Sequence, residues 1–222
     1  MRYRKGSFLI VLLFVLLVGC AGIPVREAAK VDFNLPVGRI EGNQFIGIRF
    51  PLAVSAPPGW KVTTEIPKFM EELGYEKPGL EESELFIFNP VTQSNIQFDL
   101  TPAGRYSKFS QESIEWLTTA ATGGFKQELE EDYGKNVKVE IGPTEPVFLR
   151  GVQFAAKKYG TYIIKGVKRE QGWIYGFTEP YQIFILYMIL EKEGTDDRQD
   201  IKKILDSFQV ISKKLKLEKK GD

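Results

Sequence analysis

The 222-residue chain contains no histidine. That removes Ser-His-Asp and Cys-His nucleophile sites, HExxH zinc sites and imidazole acid–base chemistry together. A single cysteine, Cys20, leaves no partner for a disulfide and no thiolate set for a metal within the chain. No GxSxG, GxGxxG or GxxxxGK[ST] pattern is present, and Gly134-Lys135-Asn136 lacks the hydroxyl residue and the upstream glycine of a phosphate-binding loop. Apolar runs are short. None approaches the roughly 20 residues of a membrane-spanning helix, and the longest beyond the N-terminus covers residues 181–190. These gaps nominate no catalytic residue, no metal ligand and no cofactor.

What is present starts at the N-terminus. Arg2, Arg4 and Lys5 precede an unbroken apolar stretch over residues 8–18. As a helix it covers only ~17 Å of a ~30 Å hydrocarbon core, which suits the h-region of an export signal and not a membrane span. The stretch closes on Leu17-Val18-Gly19-Cys20, which resembles the lipobox of bacterial lipoprotein precursors. The resemblance implies a signal peptide over residues 1–19 and a Cys20 thiol that accepts diacylglycerol and becomes the first mature residue. Two or three acyl chains hold durably, since each buried methylene contributes ~0.8 kcal/mol. The expected location is the cell envelope, anchored to a membrane through lipid on Cys20. Ala21 in place of an aspartate points to the outer membrane facing the periplasm where the host has one.

Removing residues 1–19 leaves 203 residues, enough for one domain with its own core. Lys+Arg falls to 27 (30 − 3) against 29 Asp+Glu, a balance that gives no electrostatic reason for nucleic-acid binding. Residues 20–43, with Pro24, Pro36, Gly38 and Gly42, read as a lipidated N-terminus and tether. Residues 44–211 read as one globular domain, expected to be monomeric, and residues 212–222 as a lysine-rich tail.

Within the domain, Ile46, Ile48 and Phe50 alternate as in a strand, and Pro57-Pro58-Gly59 forms a turn before a second strand at Trp60. Residues 66–74 suit one short helix, and residues 85–88 another strand. Ile96, Phe98 and Leu100 alternate with Asn95, Gln97 and Asp99, predicting one buried and one wet face. Ser110 is the expected N-cap of a long helix with the stripe Ile114, Leu117, Ala121, Phe125 and Leu129, kinked at Gly123-Gly124. The acidic run Glu128, Glu130, Glu131 and Asp132 reads as its solvated end. Val137, Val139 and Ile141 alternate, residues 152–165 read as a strand, and residues 181–190, apolar on both sides, as a central strand. A final helix is expected over 197–207, with Ile201, Ile204, Leu205 and Phe208 inward and Asp196, Asp197 and Asp200 as caps. This order predicts an α+β domain with a mostly antiparallel central sheet and helices on both faces.

Pro58-Gly59-Trp60-Lys61-Val62, Gly151…Ala155…Tyr159 and Ile204-Leu205-Asp206-Ser207-Phe208 resemble the PsbP-like fold, an α/β/α sandwich. The likeness covers about residues 44–211. That group includes extrinsic photosystem II proteins and bacterial envelope proteins, and it implies docking onto a protein partner. Metal-binding histidines of some members have no counterpart here, so no metal role carries over.

Trp173, Tyr175 and Phe177 alternate within Gly172-Trp173-Ile174-Tyr175-Gly176-Phe177 and share one face when extended. Two fates are open to that face: packing into the core of a hairpin, or forming an exposed aromatic patch of the type enriched at interfaces. It is the candidate binding surface. The functional expectation is a lipid-anchored, non-enzymatic envelope accessory protein that binds or helps assemble a protein partner. The alternative is a carrier that holds a small apolar ligand or lipid in a cleft between sheet and helix.

Overall fold

The computed structural model describes residues 29–71, 85–104, 109–191 and 197–211. Cys20, the lipobox residues Leu17, Val18 and Gly19, Asp196 and the lysine-rich tail lie outside them.

The strands β1 (Gly38–Glu41), β2 (Gln44–Gly47), β3 (Leu52–Ser55) and β4 (Lys61–Thr63) open the fold, followed by the short helix α1 (Lys68–Glu71). Next come β5 (Leu85–Phe88), β6 (Asn95–Pro102), α2 (Gln111–Ala120) and α3 (Thr122–Tyr133). The strands β7 (Val139–Ile141), β8 (Glu145–Pro146), β9 (Phe154–Ile164), β10 (Val167–Thr178) and β11 (Tyr181–Glu191) follow, and the chain closes with α4 (Arg198–Ser207) and β12 (Gln209–Val210).

Among the described residues the strands form two sheets, and the pairs within both are antiparallel. The larger has eight strands, ordered β4-β5-β6-β11-β10-β9-β7 with β8 also on β9. The smaller has four, ordered β1-β2-β3-β12. The expected antiparallel order is there; the single central sheet becomes two because β1, β2 and β3 pair among themselves, with β12 added at the β3 edge, while β4 pairs with β5. Alternating side chains on β6 and β11 explain why the core lies where it does. Ile96, Phe98 and Leu100, with Ile183, Ile185 and Ile189 of the neighbouring strand, turn one way. They pack with Phe45, Leu52 and Val54 of the small sheet and with Ile201, Ile204 and Phe208 at α4. β11 lies between β6 and β10, the central position its two-sided apolar pattern predicts.

The residues that carry the PsbP-like resemblance meet in space around α4. Trp60 Nε1 donates to Asp200 Oδ2 at 3.0 Å. Ser207 Oγ accepts from Ser55 N at 2.9 Å and donates to Ser55 O at 3.1 Å, tying the helix end to β3. Gly151 has φ 77°, and a Cβ there would lie 2.4 Å from Val210 O, so only glycine admits this crossing of the chain.

Several local expectations change. β2 ends at Gly47 and the chain bends through residues 48–51, so Phe45 and Phe50 go inward while Ile48 is left 43% exposed. The tether to residue 43 is also shorter than expected, because β1 falls within it and Val31 and Val37 pack against the main core. Ser110 caps α2 as expected, accepting from Ser113 N at 3.2 Å. The long helix breaks at Ala121, two residues before Gly123-Gly124. Asp197 occupies the N-cap of α4, but its side chain makes no cap hydrogen bond; it is buried and accepts from Asn89 Nδ2 at 3.2 Å. Asp200 serves Trp60 and Lys203 instead of capping the helix.

Candidate functional site

The aromatic trio on β10 is not an exposed patch. Trp173 is 3% and Phe177 2% exposed, and Tyr175 is half-buried. The physical reason is the helix break. Where α2 stops, its last carbonyls lose their intrahelical donors, and Trp173 Nε1 donates to Thr118 O at 2.8 Å. The indole then packs against Phe125 of α3, with ring centroids 5.1 Å apart. Phe177 stacks on Phe109 with centroids 4.1 Å apart, and it clusters with Ile114 of α2. Tyr175 leans on Phe184 of β11 at 4.9 Å, and burial raises its hydroxyl pKa. Gly172 is not a surface signal either. It faces Tyr187 across the β10–β11 ladder, and a Cβ there would lie 2.1 Å from the tyrosine ring.

Large aromatics are exposed elsewhere, at positions not singled out from sequence. Trp116 is 68% exposed on α2, and Phe148, just after β8, is 86% exposed. Both were legible in principle. Trp116 lies midway between Ile114 and Thr118, the buried residues of α2, which puts it on the opposite side of the helix. Phe148 alternates with the buried Leu149. The two belong to neighbouring structure, since Thr119 and Thr144 hydroxyls hydrogen-bond at 2.8 Å between α2 and the segment leading into β8.

A cleft of about 570 Å³ lies between the end of α3 and the β9–β10 turn, lined by Asp132, Tyr133, Ile163, Ile164, Lys165 and Arg169. Arg169 Nη1 donates to Tyr133 OH at 3.2 Å. Deeper between helix and sheet, Phe125, Leu129, Tyr162 and Trp173 fill the space. Glu128, on the same helix, has its pKa raised by burial, then by Asp132 and Glu131.

At the same end of β10, where it pairs with the end of β11, Arg198 of α4 joins two acids. Its Nε donates to Glu170 Oε2 at 3.1 Å, and its Nη2 donates to Glu191, which also pairs with Lys168 at 3.2 Å. The hydrogen bond from Arg198 is the main cause of a lowered Glu191 pKa. Tyr187 OH donates to Glu170 Oε1 at 3.2 Å. Burial first, then the Glu170 charge, push the tyrosine pKa far upward. These groups hold α4 against the sheet.

Together the two antiparallel sheets and their flanking helices define an α+β domain of the PsbP-like fold. The solution structure of cyanobacterial PsbP (CyanoP) from Synechocystis sp. PCC 6803 is similar to this chain, with a TM-score of 0.52, 10% identity, and coverage of 80% of this chain and 100% of that one. At that identity the likeness concerns the fold alone. A crystal structure from Bacteroides thetaiotaomicron covers 79% of this chain and 50% of its own, with a TM-score of 0.46 and 11% identity. No family model and no curated protein sequence matches the chain. Among the described residues, no helix is long and apolar enough to cross a membrane.

Proposed function

We propose that this protein is a lipid-anchored, non-enzymatic accessory protein of the cell envelope that docks onto another envelope protein. In the same reading its domain is a PsbP-like sandwich, with α2 and α3 on one face of the larger sheet and α4 on the other. The anchor rests on Leu17-Val18-Gly19-Cys20 closing a short apolar run behind three basic residues. The observation that carries docking is the exposure of Trp116 and Phe148, because large aromatics are enriched where interfaces form and a monomer gains nothing by leaving them in water. The trio on β10 is withdrawn from that role. Cells fed radiolabelled fatty acid test the anchor: label on the native protein and none on Cys20→Ser is expected, while label on the serine variant contradicts it.

A carrier function is the second reading, favoured by the cleft at Tyr133, Ile163 and Arg169, which combines apolar and basic groups. It is held second because aromatic side chains fill the deeper space between helix and sheet. Saturable uptake of a fluorescent fatty acid, lost on Ile163→Asp, would promote it; absence of uptake would remove it.

A further inference from the structure

The folded region begins closer to Cys20 than the sequence pattern suggests. Val31 and Val37 already pack against the main core. Arg49 fastens the intervening chain, donating from Nη2 to Leu35 O at 2.8 Å and to Phe33 O at 3.2 Å, with its guanidinium 5.7 Å from the Phe33 ring centroid. Eight residues separate Cys20 from Ala29. Whatever their conformation, the nine steps between these Cα atoms span at most about 30 Å, since an extended chain advances ~3.3–3.6 Å per residue. A lipid on Cys20 therefore keeps Ala29 within that distance of the membrane surface.

That same end carries partly exposed apolar side chains. Leu35 is 42%, Ile40 42% and Ile48 43% exposed. They belong to one small unit. Ile48 N donates to Val37 O at 3.0 Å, Arg49 bonds Leu35 O, and Ile40 lies three residues along β1 from Val37, about 10 Å at strand rise. Trp116 lies on α2, which packs on β9 and β10, and Phe148 lies two residues before Arg150, which bridges to β12 at the opposite edge of the small sheet from β1.

We infer that the domain rests on the bilayer through the end bearing Leu35, Ile40 and Ile48, leaving Trp116 and Phe148 free for a protein partner. The occupant of this apolar end is the lipid surface, because the short span to Cys20 brings it there and exposed aliphatic side chains are stabilised on entering the interfacial region. The inference rests on lipidation of Cys20 proposed above.

The test uses the full lipidated protein in vesicles of phosphatidylethanolamine and phosphatidylglycerol, with and without a nitroxide-bearing phospholipid. An environment-sensitive dye is attached to Ile40→Cys, Ile48→Cys or Phe148→Cys, all at exposed positions, and each variant is floated with the vesicles. Floating protein with several-fold stronger nitroxide quenching at positions 40 and 48 than at 148 is expected. Floating protein with equal quenching at all three, or with none at 40 and 48, overturns the membrane-facing end while leaving the anchor standing. Protein that does not float overturns the anchor and this inference with it.

Discussion

Two pairs of aromatic residues in this molecule have the same chemistry and opposite fates. Trp173 and Phe177 on β10 are buried beneath α2 and α3, whereas Trp116 on α2 and Phe148 after β8 stand in solvent. Aromatic density along the chain points to the first pair, which has three aromatics in five residues. Position relative to a covering element decides the matter. β10 is flanked by strands on both sides, and Trp173 on it packs with Phe125 and Leu129 of α3. Trp116 sits about 200° around the helix from Ile114, and nothing among the described residues roofs that side. An isolated aromatic off its own helix stripe is thus a better signal of exposure than a dense aromatic strand.

The contrast can be broken most easily at Trp173. Trp173→Ala removes a buried indole and its hydrogen bond to Thr118, and it should lower stability by about 3–5 kcal/mol. Trp116→Ala should change stability by no more than about 0.5 kcal/mol. Urea melts of the two variants side by side check this, and similar midpoints would erase the distinction. Smaller effects sharpen it. Gly172→Ala drives a methyl into the Tyr187 ring and should cost about 1–3 kcal/mol. Gly124→Ala, in α3 with open space around the added Cβ, should instead stabilise by up to about 1 kcal/mol. Thermal midpoints moving in opposite directions are the expected result.

The smallest effect concerns pH. Glu191 has a folded pKa held below its unfolded value, chiefly by the hydrogen bond from Arg198. Its contribution is present above the ordinary glutamate value of about 4.3 and fades as pH falls through the lowered folded value. Glu191→Gln should therefore flatten part of the acid limb of a stability–pH curve and leave the neutral region parallel. An unchanged acid limb would show that the pair with Arg198 is too solvated to matter.

Legibility from sequence followed distance along the chain. The inward face of β6, the Ser110 cap and the inward stripe through Ile114, Phe125 and Leu129 depend on neighbours a few residues away, and all are found; the face of Asn95, Gln97 and Asp99, expected to be wet, is buried or half-buried. The β1-β2-β3 part of the second sheet is local, but its closing edge is not legible because β12 meets β3 in a pairing between residues 53 and 209. Asp200 looked like a cap because its partner, Trp60, lies 140 residues earlier. The need for glycine at position 172 is not legible locally because the ring that demands it, Tyr187, comes from the next strand. At Ile46, Ile48 and Phe50, a regular alternation was misleading because Gly47 ends the strand in the middle of the pattern.

The central claim is that docking uses Trp116 and Phe148 and not the β10 aromatics. A photoreactive amino acid placed at position 148, at position 116, or at the exposed Ile163 in the lipidated protein tests it in intact cells. One discrete cross-linked species is expected from positions 116 and 148, absent from 163, and reduced when the 148 probe is combined with Trp116→Ala. Equal capture from all three positions, or capture from 163 alone, would contradict the account.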